Sequence, residues 1–118
     1  MTLRVGGIVL DAEDPQELAK FWSEATGFPV GFAMDEFVQL ETDDSIGHFF
    51  FIKVPENKTA KNRNHIDYET DDRTAEIKRL VGIGAKEGQT HTMDDGFMWT
   101  VMQDPEGNEF CVSEKHSD

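Results

Sequence analysis

Cysteine is nearly absent from this sequence: Cys111 stands alone, so no disulfide can close within the chain. No run approaches the roughly 20 apolar residues that a membrane-spanning helix needs. Basic residues are scarce, with 11 lysines and arginines against 24 acidic residues and a formal charge of −13. A field of that sign repels nucleic acid and anionic lipid, so neither is an expected partner, and it steers cations or amines towards any acidic cleft. The one basic cluster, Lys58, Lys61 and Arg63, is short and sits in a polar stretch. Residues 1–15 carry neither the basic start nor the long apolar core of a secretory signal, so the expected location is the cytoplasm.

What is present is enough for one domain. A chain of 118 residues buries about two-thirds of its unfolded surface, which supports a core without metal or disulfide staples. The clearest element is an early helix. Asp14 can cap it, Pro15 suits its first turn, and Glu17 stands three residues after the cap. Leu18, Phe21, Trp22 and Ala25 then form one apolar stripe, and Gly27 and Pro29 stop it. A second helix is expected to begin near Asp72, bury Ile77, Leu80 and Val81, and end at Gly84.

Strand-like runs surround both helices at residues 3–10, 30–33, 36–41 and 48–54, then 64–70, 85–89, 97–103 and 109–113. The order is strand, helix, three strands, and the same again. Traces of duplication remain in the letters. Asp14 precedes Gly27 by the same interval that separates Asp71 from Gly84, and Asp44 to Gly47 before one strand is answered by Asp104 to Gly107 before another. The helix stripes do not superimpose at a fixed offset, so the repeat is suggestive only. The polar stretch from Pro55 to Asn64 is the natural connector. The expected fold class is therefore α+β: one domain over 1–118, with a first βαβββ module at about 1–55, a linker at about 56–63 and a second module at about 64–114.

Three blocks sharpen this reading: DPQELAKFWSEATGF from Asp14 to Phe28, KNRNHIDYETDD from Lys61 to Asp72, and DPEGNEFCV from Asp104 to Val112. They resemble the first-helix, second-module opening and closing-strand motifs of the vicinal oxygen chelate superfamily. This is the fold group of glyoxalase-like domains, bleomycin-resistance proteins and extradiol dioxygenases, and the resemblance is to its glyoxalase-like subgroup. It implies two cup-shaped mixed sheets with helices outside, and a homodimer whose cups are completed across the interface.

Alternation along the strands suggests where polar groups gather. In residues 64–70, Ile66, Tyr68 and Thr70 take one face and His65, Asp67 and Glu69 the other. In residues 109–113, Phe110 and Val112 oppose Glu109, Cys111 and Ser113. The resemblance makes these two strands neighbours, which would place His65, Asp67, Glu109 and Cys111 in one patch. Carboxylates so crowded resist joint ionisation unless a cation or donors join them.

Members of the superfamily that use a metal carry four ligands, on the first, fourth, fifth and eighth strands. Carried onto this sequence, the fifth-strand position is matched by His65. The first falls at or beside Gly7, the fourth on Phe50 or Phe51, and the eighth on Cys111, where glutamate is usual. No metal is assigned; a divalent ion remains open through substitutes such as Asp67, Glu109 or His48. His65 is either a ligand-facing group or a partner of Asp67 or a backbone carbonyl. Cys111 reads as a small buried side chain, His48 as structural or surface, and Trp22 as core. Trp99 lies on a face that is either core or cup wall. His91 and His116, in a loop and a tail, receive no role.

The leading expectation is a metal-independent small-molecule binder of sequestering or resistance type. Its ligand would be aromatic or cationic, held by Phe50, Trp99, His65, Asp67, Glu109 and Cys111. The alternative is an enzyme, a glyoxalase-like lyase or isomerase or a dioxygenase, with a non-standard metal site around His65 and catalytic candidates His65, Asp67 and Glu109. A third reading is an interaction module whose cup is filled by Phe50, Trp99 and Met102.

Overall fold

The computed structural model describes residues 5–43 and 46–115. The chain divides into two compact units, Met1–Asn57 and Lys58–Asp118. The first runs β1 (Gly7–Ala12), α1 (Pro15–Thr26), β2 (Val30–Ala33), β3 (Phe37–Leu40) and β4 (His48–Lys53). The second repeats it with β5 (Ile66–Thr70), α2 (Arg73–Gly82), β6 (Lys86–Thr92), β7 (Met98–Gln103) and β8 (Glu109–Glu114). Each unit holds one four-stranded mixed sheet, in the orders β1-β4-β3-β2 and β5-β8-β7-β6. The opening strand of each unit pairs in parallel with its closing strand, and the other neighbours are antiparallel. This is the expected α+β architecture of two tandem βαβββ modules.

The first helix forms for the reasons its sequence gives. The Asp14 carboxylate accepts from the Glu17 N–H at 3.2 Å, which satisfies one of the donors left over in the first turn. Gly27 ends it in the left-handed region at φ 83°, where a side chain would be strained, and its N–H reaches the Ser23 carbonyl. Leu18, Ala19, Phe21 and Trp22 are buried. Across the sheet they meet Phe49 and Phe51, both wholly buried, with Trp22 and Phe49 ring centres 6.2 Å apart. Burying each such aromatic contributes on the order of 2–3 kcal/mol.

The second helix is capped by Asp72, whose side chain accepts from the Ala75 N–H at 3.1 Å. The interval match at Asp71 is therefore one residue off the true cap. Ile77 and Leu80 are buried, as expected; Val81 is not, at 45% exposed, because it lies off the narrow stripe that meets the sheet. The strand expected at 85–89 runs on to Thr92, so His91 lies in a strand and not in a loop. Its apolar content is low, and its pairing with β7 holds it in place. The first strand extends to Ala12; Leu3 and Arg4, with Asp44, Ser45 and His116, lie outside the described residues.

Candidate functional site

Register decides which side chains share a face. In the second sheet, Asp67 on β5, Cys111 on β8 and Val101 on β7 form one row across the strands. Glu69, Ser113, Trp99 and His91 form the next row, and Glu109, Gln103 and Lys86 the row on the other side. The intervening rows face α2: Ile66, Phe110 and Met102, then Tyr68, Val112 and Thr100. Met102 is thus wholly buried core beneath the helix and cannot fill a cup on the Trp99 face. The alternation of β7 also settles Trp99, which lies on the face opposite the helix. There the His91 imidazole stacks on the Trp99 ring with centres 5.1 Å apart and planes 22° off parallel, and Phe97 continues the stack at 6.1 Å. Sequence reading missed His91; its register opposite Trp99 becomes visible only once β6 is known to continue past Gln89.

His65 immediately precedes β5, and its Nε2 lies 3.5 Å from Asp67 Oδ1. Both side chains are well exposed, at 53% and 74%. Cys111 is buried, and one donor atom from each of His65, Asp67 and Cys111 lies within 4.8 Å of the other two. Burial pushes the Cys111 thiol up to about 11, and the Asp67 carboxylate, which accepts its hydrogen bond, adds to the rise. The thiol is therefore protonated near neutral pH and is no spontaneous nucleophile.

Glu109 shares their face, but its carboxylate is engaged elsewhere. Lys58 Nζ lies 3.1 Å from Oε2, and the Asn62 N–H donates to both oxygens at 3.3 Å. Burial alone would raise this carboxyl; the Lys58 hydrogen bond and charge and the Asn62 N–H together hold it below the usual glutamate range. Residues 58–62 thus supply the cation and donors that the crowded acidic face requires.

In the first sheet, the face away from α1 is aromatic. Phe50 stacks on His48 at 5.2 Å and meets Phe37 at 5.1 Å, and Phe32 lies 6.2 Å from Phe37. Val9, in register with Phe50, is half exposed.

The sequence profile of the glyoxalase-like domain matches residues 7–113. The chain belongs to that family. No curated protein sequence matches it significantly. The fold is shared with a glyoxalase-related enzyme from Fulvimarina pelagi, 16% identical over 97% of this chain and 89% of that one, with a TM-score of 0.77. Lactoylglutathione lyase from Agrobacterium tumefaciens is 15% identical, with 97% and 95% covered and a TM-score of 0.69. A bleomycin-binding protein from bleomycin-producing Streptomyces verticillus, complexed with copper(II)-bleomycin, is 17% identical, with 98% and 99% covered and a TM-score of 0.66.

The four-ligand metal set implied by the resemblance does not fit this glyoxalase-like chain. Gly7 has no donor, and a Cβ there would stand 2.9 Å from the His48 carbonyl oxygen, so β4 leaves no room for a ligating side chain. Phe50 and Phe51 cannot ligate. Of the four positions, His65 alone carries the usual residue type.

Proposed function

We propose that this protein binds a small aromatic or cationic molecule in the cytoplasm, in the manner of a sequestering protein, using the open face of its second sheet. The Trp99–His91 stack carries the reading: a partly exposed aromatic pair, on the same sheet face as Asp67 and Glu69 with β8 between them, offers ring stacking and carboxylates on one surface. His65, Asp67, Glu109 and Cys111 line the same surface, and Phe50 contributes a separate apolar wall on the first sheet. Stacking and charge pairing need no metal, and the misfit of the four-ligand set supports binding over metal-assisted turnover. The reading includes a homodimer, supported by the half-exposed Val9 and Phe32 on the aromatic face of the first unit.

Two tryptophans make the test direct. Trp22 is buried in the first unit's core, whereas Trp99 is partly exposed. Aromatic amines should quench Trp99 fluorescence and raise the melting temperature, and W99F should lose the quenching. A panel that neither quenches nor stabilises at high concentration would sink the proposal, because a ligand specific to the folded state must stabilise it. A particular observation favours the enzyme reading as runner-up: three possible metal donors converge at His65, Asp67 and Cys111.

A further inference from the structure

The missing four-ligand set leaves a different donor arrangement. His65, Asp67 and Cys111 all come from the second unit. Asp67 and Cys111 stand opposite each other on paired parallel strands, so the backbone ladder fixes their spacing. His65 sits two residues before Asp67, on the same side of the chain, with its Nε2 already 3.5 Å from the carboxylate. Donors around a tetrahedral zinc ion are roughly 3.3–3.8 Å apart, given Zn–S near 2.3 Å and Zn–N or Zn–O near 2.0–2.2 Å. Bringing all three atoms from within 4.8 Å to that spacing requires small rotations of two exposed side chains.

We propose that His65, Asp67 and Cys111 form a three-ligand site for a borderline-soft divalent cation such as zinc or cobalt(II), contained within the second unit and leaving a fourth position open. The donor chemistry selects the class. A thiolate and an imidazole favour zinc-like ions, and a single carboxylate is too few oxygens for calcium or magnesium. On binding, Cys111 gives its proton to solvent and enters as the thiolate. The site shares its sheet face with Trp99. On the ligand-binding reading above, the fourth position is therefore open to a donor atom on the stacked molecule.

Cobalt(II) titration of the full chain, with no organic ligand present, tests the site apart from that reading. A near-ultraviolet thiolate-to-cobalt band should appear, saturate at one equivalent, disappear on adding zinc and ignore excess magnesium. C111S should abolish the band. H65A and D67N, both at exposed positions, should keep the wild-type melting temperature. Each should weaken cobalt binding by more than about tenfold, the smallest loss seen when even an outer-sphere partner is removed. Absence of the band overturns the proposal. So does a band that C111S removes while H65A and D67N leave its affinity unchanged, since that is a lone thiol binding metal by itself. Neither result bears on Trp99 quenching, which stands or falls separately.

Discussion

The two sheets share one topology yet present opposite chemistry on the faces their helices leave uncovered. The first is mainly aromatic and aliphatic, with Val9, Phe32, Phe37, Phe50 and Ile52 beside Asp11, Gln39 and His48, and the second shows Asp67, Glu69, Glu109, Cys111 and the Trp99–His91 pair. The helix-facing sides are alike in being mostly apolar under a capped amphipathic helix, although the second also buries Thr100, which accepts from Arg73. The two units thus match in the rows that their helices cover and differ in the rows left uncovered. The hidden rows are held by packing, whereas the uncovered rows are limited only by what meets them.

If that division is right, the largest effect should separate neighbours on one strand. Phe51→Ala removes a wholly buried ring and should cost about 3–5 kcal/mol. Phe50→Ala, next to it but on the uncovered face, should cost less than about half as much, since its ring is only partly buried. Urea denaturation of both variants measures the difference. Equal costs would mean that the aromatic face is packed as tightly as the core, which breaks the comparison.

A second substitution probes how the second unit closes. Asp104 is 3% exposed, and its carboxylate accepts from the Glu106 N–H, the Asn108 N–H and the Asn108 side-chain amide. It therefore builds the turn that aims β8 at β5. Asp104→Ala leaves three part-buried donors without their acceptor and should cost about 1–2 kcal/mol, read by thermal unfolding. The two caps should cost less and match each other: Asp14→Ala and Asp72→Ala each about 1 kcal/mol, because both carboxylates accept a third-residue N–H at nearly equal distance. A clear inequality would show that the helix-facing halves have also diverged.

Much of this could be read from the letters, and the exceptions have physical reasons. Asp14, Pro15 and Gly27 announce the first helix because capping is local chemistry. The gathering of His65, Asp67 and Cys111 followed from strand alternation once the resemblance made β5 and β8 neighbours. The sequence MWTVMQ of β7 is apolar on both faces, so nothing local could say whether Trp99 or Met102 was core. The sequence KEGQTHT of β6 has no apolar alternation, so its pairing with β7, and hence the role of His91, was invisible. Nor did the letters show that Lys58 and Asn62 fold back on Glu109, since that contact spans 51 and 47 residues.

That last contact gives the smallest and most pH-sensitive expectation. Lys58 and Glu109 are mostly but not fully shielded, at 20% and 12% side-chain exposure, so Lys58→Ala should cost no more than about 1 kcal/mol. Glu109 has its carboxyl held below the ordinary value of 4.5, so its contribution is complete above that pH and is lost as acid protonates the carboxylate through its lower folded value. Wild type and Lys58→Ala should therefore differ most at neutral pH and converge as the pH falls below 4.5. The first sheet's uncovered face carries no such pair among the described residues, so Phe50→Ala should differ from wild type by the same amount across that range. If the Lys58→Ala difference stays constant into acid, residues 58–62 are held against Glu109 by packing rather than charge, and the polar character assigned to the second face loses one of its supports.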